Sequence, residues 1–375
     1  MSVCLFDRRE NRNNGDDMKI LITGNMGYIG PCVVRQLRAS YPDATLLGFD
    51  MGFFAHCLTN APILPECRVD MQYFGDVRTF PKHILSGLDA IVHLAAISND
   101  PMGKVFEDAT HKINHRASIE LAIKAKEGKV GTFVYASSCS MYGFAEGDAK
   151  SEDSPLNPLT AYAKSKVSSE IDLRPLADKS FKVTCLRFST ACGMSDRLRL
   201  DLVLNDFVAG AVASRKINIL SDGSPWRPLI NVKDMARAIE WALMRDPTSG
   251  GDFLSVNVGS DQWNYQVKEL AEAVAKVIPN VEISINKNAQ PDKRSYKVNF
   301  NLFRKVAPDY QPQYDLISTI EELRDGLFGM KFKDEDYHNS NLMRIKVLTK
   351  LMQTGLITEK LQWIINPSSI LWNTK

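Results

Sequence analysis

"ITGNMGYIG", residues 22–30, sets Gly24, Gly27 and Gly30 between an apolar run and a helical pattern. The run "KILITG" (19–24) has the length and character of a buried strand, and "YIGPCVVRQLRAS" (28–40) reads as the helix after it. Glycines at such a junction permit a tight turn and let backbone approach a pyrophosphate, while the helix N-terminus offers free N–H groups and partial positive charge. Tyr28 and Ile29 complete the turn on its helical side. The second apolar run, "ATLLGFD" (44–50), ends on Asp50, twenty residues after Gly30. A carboxylate there can accept from adenosine ribose hydroxyls and would repel a 2′-phosphate. No arginine follows it closely, so the pattern favours NAD over NADP.

Working outward, "CRVDMQYFGDV" (67–77), "LDAIVHLAA" (88–96), "GTFVYASS" (131–138) and "FKVTCLRFS" (181–189) repeat the short apolar run. Helical stretches at about 104–127 and from near Thr160 separate them. Buried strands alternating with helices mean an α/β fold, a Rossmann-type doubly wound parallel sheet covered on both faces. After about residue 189 the alternation loosens. Helices are expected over 198–215, 262–277, 315–327 and 339–355, with short strands at "INIL", "RPLINV" and "FLSVNV". The chain thus divides into a flexible leader (1–17), an NAD-binding Rossmann domain (18–188), a smaller C-terminal substrate-binding region interleaved with the sheet (189–335), and a helical extension (336–375) with no assigned role.

The 375 residues are 44% apolar and 24% charged, with a net charge of +2, so neither nucleic acid nor an acidic membrane is called for. No apolar run approaches the roughly 18–20 residues that span a bilayer, and the polar N-terminus lacks a signal peptide's apolar stretch. Seven scattered cysteines include no CxxC pair, and no histidine sits at ligand spacing. A cytoplasmic protein with reduced thiols and no metal site is therefore expected. His93, on a buried strand, reads as a satisfied core residue.

The chemistry is concentrated in two stretches. "NPLTAYAKSKVSSE" (157–170) places Tyr162 and Lys166 four apart, on one helical face. An ammonium beside a phenol favours the phenolate, lowering a pKa from its usual ~10, so that the phenol can take a proton from a substrate hydroxyl. "YASSCSMYG" (135–143) sets Ser137, Ser138, Cys139 and Ser140 at the end of the fifth run.

In order along the chain come GxxGxxG on the first strand, Asp50 after the second, "HLAA" (93–96) on the fourth, "SSCSMYG" on the fifth and YxxxK on the next helix. Over roughly residues 18–330 this resembles the extended short-chain dehydrogenase/reductase family, and within it the NAD-dependent nucleotide-sugar epimerases and dehydratases. "RPLINVKDMARAI" (227–239) is similar to that family's later signature. The resemblance implies bound NAD, a nucleoside-diphosphate sugar in the cleft between sheet and C-terminal region, and a homodimer formed through helices near 104–126 and 159–176. It implies a triad in which Tyr162 is the base, Lys166 binds the nicotinamide ribose, and Ser138, four residues before Tyr142, aligns the sugar hydroxyl. Cofactor contacts would come from Gly24, Gly27, Tyr28, Ile29, Gly30, Asp50, Asp76, Val77, Leu94, Ala95 and Ala96, with Asp76 near adenine. Sugar-nucleotide contacts would come from Asn99, Asp100, Ser138, Ser140, Thr190, Arg227 and Arg294, the arginines suiting a diphosphate. Arg197 and Arg199 read equally as phosphate ligands or as a solvated helix start.

Departures from the family discriminate within it. The 4,6-dehydratases carry Thr-Asp-Glu where this chain has Ser138, Cys139 and Ser140, so the carboxyl groups of dehydration are missing. Epimerases acting at C3 and C5 place a cysteine where Ser140 stands. A one-residue shift on a strand turns a side chain to the other face, so Cys139 is expected to pack into the core. The implied activity is epimerisation by transient oxidation at C4. A 4-dehydrogenase or 4-keto reductase that releases the keto sugar uses the same first half-reaction, and a non-catalytic NAD sensor is the reading from another class.

Overall fold

The computed structural model describes residues 18–59, 61–145, 147–286, 289 and 294–364. The expected leader, 1–17, lies outside them, as does the last part of the extension, 365–375. Strands β1 (Lys19–Thr23), β2 (Thr45–Asp50), β3 (Met71–Phe74), β4 (Ala90–His93), β5 (Thr132–Ser138) and β6 (Lys182–Phe188) are joined by helices on both sides of one sheet. β7 (Thr190–Cys192), β8 (Lys216–Ile219), β9 (Trp226–Asn231), β10 (Phe253–Val258), β11 (Asn264–Gln266) and β12 (Glu282–Ile285) follow. The main sheet runs β10-β6-β5-β4-β1-β2-β3, and its neighbours pair in parallel. Strand order reverses about β1, and its neighbours β2 and β4 leave a crevice at their carboxyl ends, where open α/β sheets bind ligands. β10 belongs to this sheet although it lies in the second half of the chain. β11, β9 and β7 form a small sheet of their own, and β12 pairs with β8.

Every strand of the β1–β6 set except β3 is nearly all buried, which explains the continuous apolar runs. One face of the sheet packs under α1 (Gly30–Ser40) and the helix Val232–Met244; the other packs under the stretch 100–127 and the helix Ala161–Leu173. His93 bridges Thr23 (2.7 Å) and Ser118 (2.8 Å) inside the core, and burial lowers its pKa to about 3, so the ring is neutral.

Four helical expectations change. The stretch read as one helix over 104–127 starts at Asp100, breaks at Phe106 and widens to a π-helix over His111–Ala117. There the Asn114 carbonyl accepts from the hydroxyls of Ser118, Ser169 and Tyr135, while its side chain pairs with the backbone of Ile97. These bonds replace the regular ladder. The 198–215 helix begins only at Val203, because Leu200 donates its N–H to Leu342 and the segment before it is drawn into the core. The 262–277 helix begins at Val267, since Asn264–Gln266 pairs with β9 instead. The last helix is Arg344–Gln353, stopped before Gly355, whose φ is +71°. It is no loose appendage: Leu348, Ile357 and Leu361 are buried in the same core as β1, β4 and β5.

Candidate active site

The carboxyl ends of the strands open into a cleft of about 730 Å³. Its floor begins at the glycine turn. Gly24 has φ +73°, and a Cβ there would lie 2.6 Å from the Ala95 nitrogen, so only glycine lets β1 leave the sheet beside β4. Gly27, Tyr28 and Ile29 line the cleft. Gly30 stands behind the turn: a Cβ would meet the Asn25 carbonyl oxygen at 2.1 Å, so it serves the packing of helix against turn. Asp50 braces the same turn by accepting from the N–H groups of Met26 (3.1 Å) and Gly52 (2.7 Å). Burial raises its pKa. A carboxylate has about four acceptor sites, so capacity remains for the two hydroxyls of a ribose.

Val77, Leu94, Ala95 and Ala96 line the cleft beyond Asp50. Asp76 lies there too, but its carboxylate is engaged by Arg78 at 2.6 Å, and it also accepts from the Arg78 N–H. Its carboxylate is therefore held by Arg78 and is not free, as the expectation of an adenine contact would need.

The helix Ala161–Leu173 is started by Thr160, whose hydroxyl accepts from the Ala163 N–H (3.1 Å) and donates to Asp100 (2.6 Å). That cap aims Tyr162 and Lys166 into the cleft one turn apart. Lys166 is only 3% exposed. Its ammonium lies 5.7 Å from the Tyr162 ring centroid and donates to the Ala136 carbonyl at 2.6 Å. Of its three donors, two have no hydrogen-bond partner among the described residues, and the ammonium also lies 4.6 Å from the centroid of the Tyr135 ring. Burial lowers its pKa to about 7. Tyr162 departs from the sequence-based expectation of a lowered pKa: burial pushes the phenol up to about 12, and a hydrogen bond with Ser138 pulls the other way. Desolvation of the phenolate outweighs both the Ser138 hydroxyl and the positive charge of Arg199, which favour it.

Ser138 ends β5 and accepts from the Ser140 N–H at 3.2 Å. Ser140 also faces the cleft, and its buried hydroxyl has no partner among the described residues. Ser137 donates to Glu170, which holds Arg187 at 2.7 Å. Cys139 is fully buried, its thiol donating to the Arg187 carbonyl at 3.0 Å and pushed up in pKa by burial. Its thiol is spent in the core, away from the cleft.

Asn99, Asp100, Thr190, Arg227 and Arg294 line the same cleft. Asp100 pairs with Arg294 at 3.1 Å, and Arg227 donates to the carbonyls of Trp226 and Arg294. Arg197 and Arg199 do not form a solvated helix start. Both are buried; Arg197 is held by Glu66 at 2.7 Å and Arg199 by Asp201 at 2.6 Å. Arg199 also donates to Ser98 (2.8 Å), and Asn99 donates to Asp201 (2.8 Å), so one polar network forms part of the cleft wall.

Sequence reasoning missed the residues that reach the cleft from elsewhere: Phe53 and Phe54 after β2, and Arg344, Leu348 and Leu361 from the extension. The only hint was the apolar spacing within "NLMRIKVLTKLM" (341–352), which demands a packing partner without naming it. Among the described residues no group of His, Cys, Asp and Glu is disposed to hold a metal ion, and no helix is long and apolar enough to cross a membrane.

The sequence matches the model of the NAD dependent epimerase/dehydratase family over residues 20–259. It is 30% identical over 252 residues to an uncharacterized UDP-glucose epimerase of Bacillus subtilis (strain 168), covering 64% of this chain and 77% of that one. It is 26% identical over 296 residues to the UDP-glucose 4-epimerase of Lactobacillus helveticus, covering 73% and 87%. Among solved structures, the fold is similar to that of MoeE5 in complex with UDP-glucuronic acid and NAD, with a TM-score of 0.69 at 22% identity over 83% of this chain and 99% of that one.

Proposed function

Since the chain belongs to the NAD dependent epimerase/dehydratase family, and is therefore an enzyme whose cofactor is NAD, we propose that it epimerises a nucleoside-diphosphate sugar by transient oxidation at C4. The observation that carries this reading is one buried site holding Ser138, Tyr162 and Lys166, with Cys139 turned into the core and no carboxylate at positions 139 or 140. The cleft suits the cofactor: a glycine turn in which a Cβ would clash, a half-buried carboxylate with unused acceptor sites, and a buried lysine with two donors not engaged in hydrogen bonds. Gly27, Tyr28 and Ile29 would hold its diphosphate, Asp50 the adenosine ribose and Lys166 the nicotinamide ribose. NAD supplies the reversible hydride acceptor that chemistry at a sugar C–H requires.

The chain's own groups handle the proton. Tyr162 accepts it from the C4 hydroxyl and later returns it, and Ser138 orients that hydroxyl by hydrogen bonding. The orphaned Ser140 hydroxyl gains a partner when a polyhydroxylated ligand fills the cleft. Arg227 and Arg294 would take the diphosphate, and Asn99, Asp100 and Thr190 the sugar; that all five line the cleft supports this reading. Dehydration is disfavoured because the cleft carboxylates near the triad are already committed, Asp100 to Thr160 and Arg294, and Asp201 to Arg199.

Incubating the purified protein with UDP-, GDP-, CDP- and dTDP-sugars tests this directly. A C4 epimer formed without net NADH is the expected result. Stoichiometric NADH with a released keto sugar would replace the epimerase reading with a 4-dehydrogenase, and no turnover of any sugar despite bound NAD would replace it with a sensor.

We also propose a homodimer. Ile123, on the helix Ser118–Glu127, and Ile171, on the helix Ala161–Leu173, are 40% and 62% exposed on the two elements that the family resemblance assigns to the interface. Sedimentation at micromolar concentration should show a mass near twice 42.0 kDa; a monomer would end this assignment.

A further inference from the structure

The extension beyond the family match closes the cofactor end of the cleft. Leu348 and Leu361 line it together with Asp50 and Val77. Three bonds fasten the segment there. Arg78, held by Asp76, donates to the carbonyls of Lys360 (2.7 Å) and Leu361 (2.8 Å). The Trp363 indole donates to the Met51 carbonyl (2.7 Å), with its ring 5.2 Å from that of Phe53. Every anchor lies on the loops that follow β2 and β3, the loops flanking the carboxylate for the adenosine ribose.

At the start of the same segment, Arg344 is 1% exposed and also lines the cleft. It stacks over Phe54 at 4.9 Å and donates only to carbonyls, those of Arg197 (2.7 Å), Leu198 (3.2 Å) and Asn341 (3.3 Å). The contrast with its neighbours is informative. Arg197 and Arg199 are each neutralised by a carboxylate, whereas Arg344 has no ion-pair partner among the described residues. Burial lowers its pKa to about 10, with Arg199 and Arg197 acting the same way and the Asp201 carboxylate, itself paired with Arg199, opposing them. An unneutralised buried charge is costly and is relieved by an anion. The cleft it lines has the glycine turn that leads into α1 as part of its wall, and such a turn is itself a site for phosphoryl groups.

We propose that residues 344–363 form a further wall of the NAD site, in which Arg344 binds the cofactor's diphosphate and Leu348 and Leu361 cover its adenosine. This rests on NAD occupying the cleft as described above. A diphosphate could equally come from the sugar nucleotide, but Phe54 and the anchors at Met51 and Arg78 belong to the cofactor end, whereas Arg227 and Arg294 mark the other.

The test measures binding of NAD, ADP-ribose, adenosine and UDP to cofactor-stripped protein by calorimetry. Arg344→Met should weaken NAD and ADP-ribose by about 10–100-fold, as expected for a lost charge-assisted hydrogen bond, and leave adenosine and UDP within about twofold. An equal loss for adenosine would mean a merely structural arginine, a loss confined to UDP would move Arg344 to the sugar nucleotide, and no loss would remove it from any site; each overturns the proposal. Hydrogen exchange on the wild-type chain needs no variant: ADP-ribose should protect amides in 344–363, and UDP should not. Unprotected amides there would overturn the wall. Wild-type protein that binds no NAD would instead remove the cofactor reading, and the wall with it.

Discussion

Replacing Tyr162 with phenylalanine should lower kcat by at least about 10³-fold while NAD stays bound. The change deletes one hydroxyl and leaves the ring that fills the space beside Lys166 and Gly103. General acid–base catalysis typically supplies about 10²–10⁴ in rate, and in the proposed reaction the same oxygen would serve in both proton transfers. The structure also sharpens the pH dependence. Burial raises the phenol to about 12, so at neutral pH the phenol is protonated in the folded chain. Two hydrogen-bonding hydroxyls, those of Ser138 and of the substrate, favour the phenolate once the site is filled. Turnover should therefore rise with pH through the neutral range. The check is single-turnover kinetics alongside NAD content after gel filtration. A variant with wild-type turnover would move the base to another residue; a variant that had lost NAD would show that the phenol serves binding instead.

Replacing Lys166 with methionine should have two effects of opposite sign. Turnover should fall by about 10²–10⁴-fold and NAD binding should weaken, because the donors for the ribose and the charge beside Tyr162 go together. Yet the cofactor-stripped variant should be more stable than wild type at pH 6–7. Lys166 is buried with one carbonyl partner, and its pKa falls from 10.5 to about 7. Below pH 7 both folded and unfolded chains carry the proton, and the folded state bears the full cost of the buried charge. Between pH 7 and 10.5 the unfolded chain binds more protons than the folded one, so wild-type stability rises with pH. The gain from pH 7 to pH 9 is about 2 kcal/mol on these values, and the methionine variant lacks it. Denaturant unfolding at the two pH values measures the difference. Parallel stability of the two proteins across that range would show that Lys166 keeps an ordinary pKa.

Much of the fold was legible because its causes are local. Strands buried on both faces must be apolar throughout, so β1, β2, β4, β5 and β6 stand out as runs. The turn after β1 demands glycine at a positive φ and at a close backbone approach, and both demands fall on residues a reader can see. Thr160 announces its helix as a cap, and the four-residue spacing then puts Tyr162 and Lys166 on one face. The failures share a different cause. The π-helix over His111–Ala117, the late start at Val203 and the strand Asn264–Gln266 each follow from a partner remote in sequence, namely Ser169 and Tyr135, Leu342, and β9.

By itself the sequence determined the alternation of strands and helices through β6, the glycine turn after β1 and the shared helical face of Tyr162 and Lys166, since each depends on residue type and on spacing within a few turns of chain. Only the tertiary structure decided which charges are spent and which are free. Arg197 and Arg199 look alike in "DRLRLD" and like Arg344 in kind, yet Glu66 lies 131 residues from Arg197, and Arg344 meets the cleft from the far end of the chain. Ion pairing and burial act through space, so Lys166 near pKa 7, Tyr162 near 12 and Asp76 held by Arg78 were set by what packs around them and not by the motifs in which they stand.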